Sequence, residues 1–502
     1  MRLECGIQSN KSYPAPPGFQ IFLEHLRSSA SYRFVSYQSF TSMSNPDPAN
    51  TSESYYRALE DGPPENNGVT TPDQWALRQL EDRYEALSYT WGDATDKQII
   101  LVNTRPFLAT RNLEAALMRL RHESQERLLW VDSICINQTN VAEVNTQVQR
   151  MWAIYERARQ VVVFLGPEAD DSDEAFRLLS VLSPIQASNG VSHITKLLSE
   201  QKMAASWNAL LSLMRRGWWS RAWIIQEYAV ASMVSFVCGS KELDGEEFGK
   251  ALENLVQYRF SGLVPKQHEY LIRHVALTPI HHLWSTRCAY QASGSSSRPN
   301  AMEILYRFRG SKSFDPRDKI YSLYRLIAEN KKLAPDYTKP VRELFIAVVG
   351  AMIESTGTLH VLCHHNRSVS GLAGLPTWCP DWTVMRGKRI LLWPNQYQAA
   401  GDPRVSAFAR IDDGLLTLKG RSVDKILWLR KFESDDFKNT GSIYKEILEL
   451  QAAAVKDARG RSLTQLLDAF RRTLVASRIR ERGPQNDATV LGPGAADDMW
   501  NE

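Results

Sequence analysis

The sequence predicts an α/β fold: a mainly parallel sheet layered with helices, followed by a mostly helical region with a few strands. Three observations carry this expectation. Across residues 84–239, short apolar runs alternate with stretches whose apolar residues recur at helical spacing, the order that builds a parallel sheet through helical crossovers. Within it, Val161-Val-Val-Phe-Leu165 is β-branched, unbroken and stopped by Gly166-Pro167, as expected of a strand covered on both faces. Beyond Glu246 the helical period dominates.

Residues 1–82 contain two polar, breaker-rich stretches, Ser44-Asn-Pro-Asp-Pro48 and Glu60-Asp-Gly-Pro-Pro-Glu-Asn-Asn-Gly68, and read as an irregular arm. Tyr84-Glu-Ala-Leu-Ser-Tyr89 reads as a strand, Trp91-Gly-Asp93 as its turn, and residues 98–102 as the returning strand of a hairpin. Thr110 is placed to cap a helix over 111–121, where Leu113, Leu117 and Leu120 share a face. Residues 128–131 form a short apolar strand ending at Asp132. Asn140 with Glu143 marks the start of a helix whose stripe runs Val144, Val148, Met151, Tyr155, Ala158. Helices are expected next over 173–182 and 196–216, then from a Ser220 cap to 231, with a strand over 233–238.

Further helices are expected over 246–258, 270–289, 301–309, 317–329 and 341–355, with strand-like pieces at 389–392, 407–411 and 415–418. The organisation is then an arm (1–82), an α/β domain (83–240) and a mainly helical region with a small β part (241–430). Two closing helices (431–482) and a disordered tail (483–502) complete it. A length of 502 residues allows two to four domains at ~150 residues each.

Composition narrows the function class. Sixty basic against 56 acidic residues leave a net charge of +4, too small for the field of a dedicated nucleic-acid binder, so no nucleic-acid partner is expected. The six cysteines form no CxxC pair, which excludes a disulfide scaffold or zinc ribbon and fits a reducing compartment. No apolar run of ~18 residues suggests a membrane span, and the start lacks a secretory stretch. The expected location is cytoplasmic, although Arg471-Arg472 with Arg478 and Arg480 leave nuclear entry open. His281-His282 and His364-His365 lack HExxH spacing and cysteine partners, so no metal is expected. No GxxxxGK[ST], GxGxxG or GxSxG stands near suitable elements, which sets aside nucleoside triphosphate hydrolysis and α/β-hydrolase chemistry.

Three segments then carry a resemblance. They are Tyr84-Glu-Ala-Leu-Ser-Tyr-Thr-Trp-Gly-Asp93; Leu129-Trp-Val-Asp-Ser-Ile-Cys-Ile-Asn-Gln138 with Gln147-Val-x-x-Met151-x-x-Ile154-Tyr155-x-x-Ala158; and Trp219-Ser-Arg-Ala-Trp-Ile-Ile-Gln-Glu227. In order and spacing the chain resembles the heterokaryon incompatibility (HET) domain family of filamentous fungi. Downstream, Asp315-Pro-Arg-Asp-Lys-Ile-Tyr321, Asp336-Tyr337 and Leu375-Pro-Thr-Trp-Cys-Pro-Asp-Trp382 look similar to the same proteins. The resemblance implies non-self recognition, a form of innate immunity, and programmed cell death on activation. It implies protein partners, either nucleotide-binding receptor-type sensors or further copies of the chain. The HET domain is also distantly similar to Toll/interleukin-receptor (TIR) domains, which implies a TIR-like, Rossmann-like sheet. Trp223-x-x-x-Glu227 is similar to the spacing around the NAD-hydrolysing TIR glutamate, which makes NAD a candidate substrate. No cofactor is expected.

Glu227 is the candidate catalytic residue. Four positions apart on a helix, Trp223 and Glu227 share a face, so an aromatic wall stands beside a carboxylate able to stabilise a ribosyl cation. Pairing of Glu227 with Arg221 or Arg216 is the structural alternative. Asp132, at the end of a buried-looking strand, is placed either to hold a ribose hydroxyl or to cap a turn through Asn137 or Gln138. Ser88 and Tyr89 end the first strand beside Trp91 in its turn, and these residues either line a nucleotide site or pack in the core. Cys135, among isoleucines, reads as a buried structural thiol. Two readings follow: an executioner module, enzymatic through NAD hydrolysis, or a non-enzymatic protein-interaction module in the same pathway.

Overall fold

The structure is a computed structural model. It describes residues 2–4, 31–34, 84–102, 105–122, 127–186, 189–275, 278–293, 299, 301–327, 333–364, 372–384, 409–418, 478–480 and 488–490. Two compact units divide the chain, one of Met1–Ile390 with Pro403–Thr417 and one of Leu391–Asp402 with Leu418–Glu502. In the second unit, Arg478–Arg480 pairs antiparallel with Ala488–Val490. The expected strand at 389–392, most of the helices expected over 431–482 and most of the tail lie outside the described residues.

The first unit is built on a seven-stranded sheet. Its strands are β1 (Arg2–Glu4), β2 (Ser31–Phe34), β3 (Glu85–Tyr89), β6 (Arg127–Trp130), β7 (Gln160–Phe164), β8 (Val234–Cys238) and β9 (Lys241–Asp244), ordered β1-β2-β6-β3-β7-β8-β9. Every neighbouring pair is parallel except β8–β9. The parallel α/β expectation therefore holds. The segment read as an irregular arm contributes β1 and β2 to one side of this sheet.

Taken in chain order, β3, β6, β7 and β8 are arranged 2-1-3-4, the flavodoxin-like doubly wound order. Its topological switch point lies between β3 and β7, registered Leu87↔Val162 and Tyr89↔Phe164. The β-branched residues of β7 are fully buried, as a strand covered on both faces requires. At the opposite end of β3, buried Glu85 is pinned by Arg127 and by Arg159 at 2.9 Å.

The hairpin expectation is corrected. Residues 98–102 lie in β4 (Lys97–Val102), which pairs with β5 (Arg105–Thr110) in a separate two-stranded ribbon. Both edges of β3 are already occupied by β6 and β7, so none is left for a returning strand. Helix α1 (Arg111–Leu120) starts at Thr110 as expected, with the hydroxyl accepting from the Leu113 N–H. α2 (Asp132–Cys135) is a single turn, and α3 (Val141–Arg157) begins at Asn140, whose side chain accepts from Ala142 and Glu143. Glu143 reaches past the cap to the Asn137 N–H at 2.9 Å, a shifted version of the reciprocal bond.

The helix expected over 196–216 is two, α5 (Gly190–Ser199) and α6 (Ala204–Leu213), with α4 (Ser172–Leu182) before them. The helix expected from 220 to 231 is also broken. A 3-10 turn, Gly217–Ser220, is followed by extended Arg221 (φ −73°, ψ 143°) and then α7 (Ile224–Ala229). Arg221 is extended because it bridges Lys312. Downstream come α8 (Gly245–Phe260), α9 (Lys266–Val275), α10 (Thr278–Ser293), α11 (Ala301–Arg307), α12 (Asp318–Tyr321) and α13 (Val341–Thr356), with the strands β10 (Ala409–Asp412) and β11 (Leu415–Leu418). The 270–289 expectation resolves into α9 and α10.

Candidate functional site at the carboxyl rim of the sheet

Strand direction places Ser88 and Tyr89 at the carboxyl end of β3 and Asp132 two residues past the end of β6. This rim is where doubly wound sheets bind ligands. Gly92, at φ +80°, turns the chain back, a conformation that disfavours a side chain. The turn brings the Trp91 indole onto Asp132 Oδ2 at 2.8 Å, and the Tyr89 hydroxyl shares a 2.7 Å hydrogen bond with Ser133. Asp132 Oδ1 also accepts the Ser133 N–H at 2.7 Å. Asn137 Oδ1 accepts locally from the Thr139 N–H and hydroxyl.

Glu227 enters from α7. The Ser88 hydroxyl donates to its Oε2, and the Trp218 indole donates to Ser88 Oγ at 2.8 Å. Arg221 Nη1 lies 3.6 Å from Oε2, an ion pair too long for a hydrogen bond. Glu227 is 1% exposed and Asp132 8%. Ser88, Tyr89, Asp132 and Glu227 therefore meet in one buried network around the Arg221 guanidinium.

The electrostatics follow from that burial. Desolvation raises the Glu227 carboxyl above its ordinary value; Arg221 and the Ser88 hydroxyl pull it back, and Asp132 adds to the rise. Asp132 is raised for the same first reason, with Arg221 and Trp91 opposing. Burial works against the charge on Arg221, but Glu227 and Asp132 outweigh it and hold the guanidinium more firmly protonated. Tyr89 and Tyr155 are both pushed well up, by burial and then chiefly by the neighbouring acids. One cation thus serves two buried acids, and the second acid is only partly compensated.

Trp223 does not complete the expected wall. It caps α7 half-buried, and its indole lies beside the Asp318 carboxyl, where it lowers that group's pKa. Glu227 points to Ser88 and Arg221, so the two residues serve different partners. A hollow of about 220 Å³ does open at the switch point, lined by Gly92, Asp93, Asp96, Arg111, Asn112, Ala115 and Pro167. Glu227 is not in its wall, and its volume is below the ~300 Å³ at which ligand pockets begin. Cys135 is buried, with its sulfur 3.5 Å from the Val131 N–H.

Arg221 and Trp218 are the members of the network that sequence reasoning did not place there, although Arg221 was weighed as a partner of Glu227. Their signal was the density of aromatics around one arginine in Gly217-Trp-Trp-Ser-Arg-Ala-Trp223. Asp318 and Tyr337 lie in the downstream stretches that resemble the same proteins, but nothing local ties them or Lys312 to this segment.

Residues 84–227 match the family model described as heterokaryon incompatibility protein (HET). The chain carries a HET domain. The matched stretch begins at the residue before β3 and ends on Glu227, so the HET domain's first and last motifs are the two that meet in the buried network. The chain is also similar to heterokaryon incompatibility protein 6, OR allele, of Neurospora crassa, with 25% identity over 361 residues. That similarity covers 60% of this chain and 53% of the relative, so the chain spans about half the length of the curated relative it matches. No solved structure matches. Among the described residues no helix is long and apolar enough to cross a membrane.

Proposed function

We propose that the chain acts in heterokaryon incompatibility, with its HET domain triggering programmed cell death after non-self recognition by engaging partner proteins rather than by breaking a bond. The HET domain and the similarity to heterokaryon incompatibility protein 6 support the role. One observation supports the non-enzymatic form of it: the Glu227 carboxylate is 1% exposed, bonded by Ser88 and ion-paired with Arg221. A carboxylate that stabilises a ribosyl cation has to face the sugar. The partners are sensor proteins or further copies of the chain.

A second reading, NAD hydrolysis with Glu227 as the catalytic carboxylate, is favoured by a different observation. Two acids with raised pKa sit at the switch point of a doubly wound sheet. The readings separate in a killing assay in fungal cells expressing wild type or Glu227→Gln at matched levels and melting temperatures. Engagement predicts that Glu227→Gln still kills and that cellular NAD is unchanged before death. Loss of killing together with preserved NAD in the variant, against NAD depletion in the wild type, overturns it.

A further inference from the structure

The segment that carries Arg221 into the network is held from outside the HET match. The Lys312 N–H donates to Ser220 O at 2.5 Å and the Ala222 N–H donates to Lys312 O at 2.8 Å, so Arg221 and Lys312 form a one-residue parallel bridge. Two residues on, the Trp223 indole lies beside Asp318, whose carboxylate accepts the Tyr337 hydroxyl at 2.6 Å. Tyr337 anchors back onto α3, its N–H donating to Asn145 Oδ1 at 2.7 Å, and Gln149 donates to Pro335 O at 3.0 Å. Arg317 ties the two ends together, pairing with Asp315 at 2.6 Å and donating to the carbonyls of Tyr337 and Lys339.

The bridge matters because of what Arg221 is. It is one extended residue between a 3-10 turn and a short helix, so the peptide groups flanking it have no ladder of their own. Without Lys312, Ser220 O and Ala222 N–H lose these partners, and the local backbone keeps only the Arg221 N–H bond to Trp218 O at 3.1 Å on one side and the Ile225 N–H bond to Ala222 O at 3.3 Å on the other. The downstream residues therefore help set the position of the cation that balances Glu227 and Asp132.

We propose that residues 312–318 and 335–339 form a brace that holds the acid–arginine network closed, and that release of this brace frees Arg221 and opens Glu227 and Asp132 at the rim of the sheet. The brace regulates the surface on which the functional reading rests, and it joins the downstream half of the chain to the output of the HET domain. A trigger acting on residues 312–339 then controls the HET domain without touching it.

Native-state hydrogen exchange on the full-length chain in sub-denaturing urea tests this, read by mass spectrometry. Peptides covering 219–229 and 312–321 are expected to share one opening, reached before the opening that exposes β7 (160–164). Trp223→Phe keeps an aromatic ring but removes the indole N–H beside Asp318. It is expected to speed exchange of 219–229 about tenfold, on the order of one polar contact to a carboxylate, with β7 unchanged. Phe314→Ala, on the same loop but fully exposed, is expected to change nothing. The brace is overturned if 312–321 opens while 219–229 stays protected, or if 219–229 exchanges only together with β7. It is equally overturned if Phe314→Ala acts as strongly as Trp223→Phe. If Trp223→Phe lowers global stability, the wild-type comparison alone decides. Neither killing nor NAD enters this readout, so its failure is distinct from failure of the functional reading.

Discussion

The Ser88 hydroxyl donates to the Glu227 carboxylate across 139 positions of sequence. Ser88 comes from the first HET motif and Glu227 from the last, while Asp132 comes from the segment between them. The motifs are thus one three-dimensional object, a buried polar network with Arg221 at its centre. Replacing a buried ion cluster by apolar residues is often neutral or stabilising, so stability alone does not account for its presence.

Removing the cation should be costly. Arg221→Met leaves Glu227 and Asp132 buried without a counter-charge, and a loss of about 3–5 kcal/mol is expected at neutral pH. Both acids have raised folded values, so protonation relieves the repulsion and the loss should shrink as pH falls. Urea unfolding of variant and wild type at pH 5 and pH 8 checks this. A loss that is small and equal at both values counts against a central role for Arg221.

Asp318 supplies a second pH signature. Burial, offset by the Tyr337 hydroxyl and the Trp223 indole, raises its carboxyl from 3.8 to about 6, with Asp315 adding to the rise and Arg317 opposing it. A raised folded value means the protonated form is the one the fold favours. Its stabilising contribution is therefore present below about pH 4 and lost as pH rises through 6, on the order of 3 kcal/mol in all. Asp318→Asn removes this titration, so its stability relative to wild type should improve between pH 4 and pH 7. A difference independent of pH would contradict the assignment.

Gly249 on α8 is a packing prediction. A Cβ there would lie 2.1 Å from the ring of Trp284 on α10. Gly249→Ala gains at most about 1 kcal/mol of helix propensity. It must displace a buried indole, at a typical cost of about 1–3 kcal/mol. A lowered melting temperature is expected, and Trp284→Phe should rescue part of it. An unchanged or raised melting temperature in Gly249→Ala shows that the indole has room to move.

Much of the sheet was legible because its signals are local. The apolar run of β7, the Thr110 and Asn140 caps and the stripe on α3 each announce an element within a few residues. The hairpin was misread for a non-local reason: whether residues 98–102 return onto β3 depends on β7, some sixty positions away, already holding that edge. The break at Arg221 was hidden for the same reason, since the segment Ser-Arg-Ala-Trp223 has no helix breaker and is pulled straight by Lys312. For the site, sequence named four of the acids and hydroxyls that meet at the rim, Ser88, Tyr89, Asp132 and Glu227. It could not tell whether Glu227 faces a hollow or a guanidinium, nor that Trp223 turns to Asp318, because those outcomes are decided by contacts from other parts of the chain.

The claim that Glu227 belongs to a closed network in a partner-engaging HET domain is tested most directly by following nicotinamide release from NAD by concentrated, purified full-length protein, with Glu227→Gln run beside it. The account predicts no release above the protein-free control from either. Release by the wild type that disappears in Glu227→Gln, at an unchanged melting temperature, would contradict it.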